Sequence, residues 1–361
     1  MILTNYESSK PRIASFDGLR FFLFLSIFLY HHFFSELTLL SLALPFFICL
    51  SGFFIAQKLQ MSSYESVRTS LKIYYLNRFF RVAPAYYITL VVAYFFSSLL
   101  ETKFHMFFLF NFRFYELTLD STNQFLSKLS VIPYSSGVHF WSLCVEIQFY
   151  LIAPILLIWK RNYVIAISTV FVLASLFVQF WYTQNLPASS YGTLPHFCAQ
   201  YFLVGALAWH ISQINNAILL KNIALKIAGL LFLLGLLGRF VNPPRHNPLN
   251  QFSPEMHQIL FILSFAFFIL HLYFNPKNII TTILSAPTFV FLGQVSYSLY
   301  LVHLFTWQIS NSILQNFYYS KGLLVILTFG LTLILGFALW FFVERPSEII
   351  KRKIVREIKN N

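Results

Sequence analysis

Arg20 and His31 stand eleven residues apart in the run DGLRFFLFLSIFLYHHFF, which is otherwise almost wholly apolar and aromatic. An ionisable group inside lipid costs a few kcal/mol unless it is paired or solvated, so each one found there is a candidate for function. At about 100° per residue, eleven residues return to within about 20° of the start, so both side chains fall on one helical stripe. The rise between them is about 16 Å. Such a stripe can hold an elongated ligand, anionic at one end and reactive at the other. Arg20 alone would also serve as a cationic anchor at the membrane surface, and His31 as a packed, hydrogen-bonded histidine. His32 points about 100° away.

Glu146 sits in HFWSLCVEIQFYLIAP, a few residues into a second apolar run. Its depth matches that of His31, as a general base and its orienting carboxylate require. A structural bond to an interfacial tyrosine or tryptophan is the plainer alternative. Arg78 and Arg81 in YYLNRFFRVAPAYY are three apart, hence on one helical face, just before Pro84, which is expected to open the next span. Paired guanidinium groups suit a phosphorylated ligand, although cations ahead of a span also act as topology anchors. His303 in SYSLYLVHLF lies mid-run, and His139, Trp141, Ser142 and Tyr150 cluster around Glu146 in sequence. His303 without a partner suits a structural hydrogen-bonder, and His139 and Trp141 suit the outer interface; these five are also the polar and aromatic groups left to contact a ligand. Cys49, Cys144 and Cys198 all fall inside apolar segments. An odd count there argues against a disulfide framework and offers no metal spacing, so no metal is expected.

The elements that must hold these residues are written in the composition. Hydrophobic residues make up 58%, aromatic residues 20% and charged residues 10% of the 361, with a mean hydropathy of +0.68. Soluble domains carry roughly 25% charged residues. The chain reads as an all-α polytopic membrane protein with about ten spans, at 19–37, 40–60, 84–100, 140–159, 162–182, 194–213, 223–241, 256–274, 288–311 and 321–343. These runs are too long and uniformly apolar for a barrel. The polar N-terminus shows no cleavable signal peptide. A net charge of +13 would suggest nucleic acid, but the cations sit at the ends of apolar runs. With both termini cytoplasmic, 19 of the 25 Lys and Arg fall inside, leaving Lys103, Arg113, Lys128, Arg239, Arg245 and Lys321 outside. The positive-inside rule therefore accounts for the charge, and nucleic acid is excluded as a partner.

Residues 1–343 form one transmembrane domain, followed by a basic tail, 344–361, whose Ile350, Ile354 and Ile358 recur every four residues. That pattern suits a helix on the anionic inner leaflet. Within 101–139 the stretch FHMFFLFNFRFY is too short to span and is expected to be re-entrant or interfacial. Two function classes fit: an enzyme passing a reactive group across the membrane, and a proton-coupled transporter or flippase using His31 and Glu146 as a relay. No repeat halves or paired broken helices favour transport.

Taken in order, FDGLR with its ten residues to His31, PFFICLSGFFI, NRFFRVAPAYY, FWSLCVEIQFYLIAP, SYSLYLVH and the terminal VERP resemble the acyltransferase-3 family of integral membrane acyltransferases, over nearly the whole chain. The resemblance implies O-acetylation of an extracytoplasmic glycan, such as lipopolysaccharide O-antigen, at the bacterial inner membrane, with acetyl-CoA as the cytoplasmic donor and co-substrate. It implies that His31 is the catalytic histidine of an Arg-x10-His motif begun by Arg20, that Glu146 is the motif glutamate, and that Arg78 and Arg81 are the basic pair before the third span. Phe21 and Phe22 stand where small residues are common, and Ile147 and Gln148 stand where a second acid is frequent. No esterase domain of the SGNH type is expected after the last span.

Overall fold

The structure, a computed structural model, describes residues 13–34, 37–61, 67–96, 102–112, 137–157, 161–185, 193–214, 219–241, 257–315 and 319–360. Residues 113–136, within the segment 101–139, and the cations Lys10, Arg12, Arg113, Lys128, Lys160 and Arg245 lie outside these. Among the described residues there is no strand. The helices are α1 (Ala14–His32), α2 (Ala43–Met61), α3 (Val67–Phe96), α4 (Thr102–Met106), α5 (Trp141–Leu157), α6 (Arg161–Asn185), α7 (Pro195–Ser212), α8 (Leu220–Val241), α9 (Gln258–Phe274), α10 (Ile279–Leu284), α11 (Pro287–Leu314), α12 (Lys321–Leu339) and α13 (Arg345–Asn360).

Six stretches are long and apolar enough to cross a membrane: Thr38–Leu59, Val138–Ile155, Arg161–Gln179, Leu220–Val241, Pro287–Leu314 and Lys321–Lys359. α9 is apolar but shorter, at 17 residues. The count of ten is therefore not reached on length and composition, and the difference has a physical pattern. α1 buries 12 of its 19 residues and α7 buries 14 of 18, whereas α8 buries 3 of 22. A helix ringed by other helices need not be apolar, while one facing lipid must be. Asp17 and His32 in α1, and Gln200 and His210 in α7, are all buried.

Of the crossings that bring backbones into direct contact, two bear on the site. A Cβ at Gly52 would fall 1.9 Å from the Phe202 carbonyl oxygen, and one at Gly205 would fall 1.8 Å from that of Cys49, so α2 and α7 meet without side chains between them. At the α1–α11 crossing a Cβ at Gly293 would meet the Asp17 carbonyl oxygen at 1.7 Å. Small residues permit this approach in membrane bundles. The second crossing sets the helix of Arg20 and His31 beside the helix of His303.

α3 runs unbroken through Pro84 for 30 residues, so the expected helix start at that proline gives way to one long helix carrying both arginines. Neighbouring helices make an interior proline tolerable in a bundle. The segment 102–112 docks on α3, where Tyr86 and Tyr87 donate to the His105 and Met106 carbonyls, each at 3.0 Å. After α12 a π-helical turn, Trp340–Glu344, leads into α13, which packs against α3 with Ser347 and Val355 buried.

Candidate functional site

At one end of the bundle four imidazoles gather. α1 supplies His31 and His32, and α11 supplies His303. His139 comes from the 3-10 turn Val138–Phe140, which the chain enters through Gly137 at a left-handed φ of 63°. His303 is central, its ring centroid 5.6 Å from His31, 5.7 Å from His32 and 4.9 Å from His139. His32, His139 and His303 are buried, and His31 is half-buried, so His31 alone of the four keeps an open side. His303 Nδ1 donates to the Tyr300 carbonyl at 2.6 Å and His139 Nε2 donates to the Leu301 carbonyl at 3.3 Å. Carbonyl oxygens only accept, which assigns the proton to those nitrogens and leaves lone pairs on His303 Nε2 and His139 Nδ1. Neither lone pair has a hydrogen-bond partner among the described residues. The imidazoles do not converge on a point: among the described residues no three His, Cys, Asp or Glu groups are placed to hold a metal ion.

Ser142, in the first turn of α5, is locked by hydrogen bonds. Its hydroxyl lies 2.7 Å from the Tyr300 hydroxyl and 3.1 Å from the His139 carbonyl, to which Tyr300 also donates at 2.7 Å. Trp141 beside it is buried. One turn further along α5, the Glu146 carboxylate accepts from Ser51 Oγ of α2 at 2.9 Å and from the Tyr150 hydroxyl. The sequence pairs Glu146 with His31 by depth. In the structure its hydrogen bonds run to Ser51 and Tyr150, while the rings beside His31 are those of Tyr30, His32 and His303. Gln148, standing where the family pattern often has an acid, donates to the Phe108 carbonyl at 2.8 Å and to Asn111 Oδ1 at 2.9 Å. It therefore tethers the 102–112 segment to α5.

The opposite end is basic. Arg20 Nη1 pairs with Asp17 Oδ1 at 3.0 Å, and its guanidinium lies 4.8 Å over the Phe54 ring. Arg78 stacks 5.2 Å over the ring of Tyr150 and 5.9 Å over that of Tyr74, and its buried Nε has no hydrogen-bond acceptor among the described residues. Arg81 Nη1 is bound to Glu344 Oε2 at 3.0 Å, and Glu344 also accepts from Ser298. Glu344 is the acid of VERP, and the sequence alone assigns it no role. Its signal was a lone carboxylate closing an apolar run, and the π turn is what rotates it inward. Thus Arg81 is committed to a protein carboxylate and Arg78 is not. Tyr150 links the two ends: its hydroxyl holds Glu146, and its ring carries Arg78.

Comparison with known proteins identifies the family. The model of the acyltransferase-3 family, described as "Acyltransferase domain", matches residues 13–345. "Putative acetyltransferase ORF330" of Acidianus two-tailed virus is 27% identical over 312 residues, covering 83% of this chain and 84% of that protein. "O-acetyltransferase OatA" of Staphylococcus aureus strain NCTC 8325 is 25% identical over 365 residues, covering 93% of this chain. The chain spans 57% of the length of that staphylococcal relative. No solved structure matches the chain. With the family model covering nearly all of it and its apolar helices long enough to cross a bilayer, the chain belongs to the acyltransferase-3 family and is a multi-pass membrane acyltransferase.

Proposed function

We propose that the chain is an O-acetyltransferase of the bacterial inner membrane. It takes an acetyl group from acetyl-CoA on the cytoplasmic side and delivers it to a hydroxyl of an extracytoplasmic glycan or lipid-linked glycan, such as lipopolysaccharide O-antigen. The observation that carries this reading is the unbroken α1, which bears a cation at the basic end and, about 16 Å along the same stripe, the one half-buried imidazole of the histidine cluster.

In this reading Arg20, Arg78 and Arg81 meet the donor phosphates, and the thioester arm lies along α1 toward His31. His31 removes the proton from the acceptor hydroxyl as its oxygen attacks the thioester carbon. The imidazolium then returns that proton to the departing thiolate, giving free CoA and the acetyl ester. Glu146 holds Ser51 and Tyr150, and through the Tyr150 ring it positions the Arg78 guanidinium at the donor end. His139, Trp141, Ser142, Tyr150 and His303 shape the acceptor end. Lipid is the surrounding solvent rather than a substrate.

The test is His31→Ala in the full chain. Losing a general base lowers transfer by about 10²–10⁴-fold, read as acetyl ester on a surface glycan and as free CoA released from acetyl-CoA, at unchanged protein level. Undiminished transfer would remove His31 from the mechanism. Failure of the wild-type protein to release CoA in the presence of glycan would instead favour transport.

A further inference from the structure

The cations at the basic end outnumber what the fold itself requires. Lys58, exposed at the end of α2, feels the charges of Arg78, Lys351 and Arg20 and the opposing charge of Glu348. Lys351, on α13, feels Glu348 and then Arg78 and Arg81. Together with Arg352, which shares Glu348 with Lys351, these make six cations set against four carboxylates, Asp17, Glu344, Glu348 and Glu146, the last of which also acts on Arg81. Among the described residues no carboxylate pairs with Lys58 or Arg78. Like charges gathered at one place destabilise a fold unless an anion joins them.

Lys351 is the informative member. On an amphipathic helix lying on a leaflet, lysine is expected on the solvated face. Here the Lys351 side chain is 14% exposed, against 48% for Arg352. The packing of α13 on α3 therefore turns Lys351 into the bundle, toward Arg78 and Arg81, while Arg352 faces out. Arg78 in turn rests on Tyr150, on the polar path that leads to Glu146.

We propose that the tail helix α13 is a wall of the donor site: Lys351, with Lys58 of α2, joins Arg20, Arg78 and Arg81 to bind the phosphates of a nucleotide thioester. This rests on the donor reading above. It makes the tail a determinant of donor specificity, selecting thioesters that carry a phosphorylated nucleotide over the bare pantetheine arm. Headgroup phosphates of anionic lipids share this chemistry, and the experiment separates the two.

The full-length protein in phosphatidylcholine nanodiscs is titrated with coenzyme A and with pantetheine by calorimetry. Wild type should bind coenzyme A far more tightly than pantetheine. Lys351→Gln and Lys58→Gln should each weaken coenzyme A by roughly tenfold, as losing one charge-assisted contact does. Lys351→Arg should restore most of the loss, which a folding defect would not allow. An unchanged coenzyme A affinity in Lys351→Gln, where Arg78→Gln weakens it, would overturn the role of the tail and leave the donor reading standing. No binding of coenzyme A by wild type would overturn both. An effect of Lys351→Gln seen only in discs containing phosphatidylglycerol would assign the lysine to lipid headgroups and overturn the proposal.

Discussion

Arg81 answers to two demands at once. It belongs to the basic pair expected to meet phosphate, yet its guanidinium is 3.0 Å from Glu344, a residue 8% exposed. Removing one member of a buried ion pair strands the other in low dielectric, at a cost of about 3–5 kcal/mol for a fully buried pair. The Arg81 side chain is 38% exposed, and solvent screening moves the expected loss to the lower end of that range or somewhat below it. Arg81→Gln should therefore lower the thermal midpoint in detergent, and adding Glu344→Gln should recover part of the loss, because the stranded charge is gone. Additive losses in the double variant would mean that the pair has no coupling. Arg78, which no described carboxylate holds, should show the opposite profile, with donor affinity lost and the thermal midpoint retained. Such pairings were not legible in the chain. Helical spacing places Arg78 and Arg81 on one face, but it cannot say that a carboxylate 263 positions away will be rotated onto one of them. The same holds for Glu146, whose partner Ser51 lies 95 positions away on another helix. Local period reports a face, and the bundle decides what that face meets.

The elements follow the apolar pattern closely where lipid surrounds them and less closely where protein does. α8 and α12 stand where hydropathy places them, because each faces a solvent that tolerates only apolar side chains. α1 and α7 are polar enough to fall short of the same measure, because their polar residues face protein. Pro84 misleads in the same way, since a bundle supports an interior proline that isolated sequence rules would place at a helix start. The glycines pair across helices, Gly52 of α2 having Gly205 of α7 as its counterpart. Their weight can be measured. In Gly205→Ala the new methyl would stand 1.8 Å from the Cys49 carbonyl oxygen, so α2 and α7 must separate. Overpacking of this kind costs about 1–3 kcal/mol, and a backbone atom cannot rotate away as a side chain can. Gly229 has nothing within 4 Å of its would-be Cβ. Gly229→Ala should be neutral or raise the thermal midpoint slightly, since alanine is the better helix former by about 1 kcal/mol. A Gly205→Ala protein as stable as Gly229→Ala would mean that the two helices are not held backbone to backbone.

For the molecule as a whole, the decisive property is which way its charge asymmetry faces. Arg20, Lys58, Arg78, Arg81 and Lys351 meet at one end. The other end carries Lys321, which donates to the Phe33 carbonyl at 3.1 Å, and Arg239, which donates to Thr38. A donor made in the cytoplasm can be used only if the arginine end lies there, so the proposed chemistry and the positive-inside rule demand the same orientation on independent grounds. Cysteine labelling tests it directly. The native Cys49, Cys144 and Cys198 are all buried and will give little background. Gln315 at the end of α11 and Glu357 in α13 are both exposed, and they lie toward opposite ends of the bundle. In right-side-out vesicles a membrane-impermeant maleimide should label Gln315→Cys at once and Glu357→Cys only after permeabilisation. The reverse pattern would put the basic end outside, away from any cytoplasmic thioester, and the histidine cluster could then no longer be the outward-facing half of the reaction.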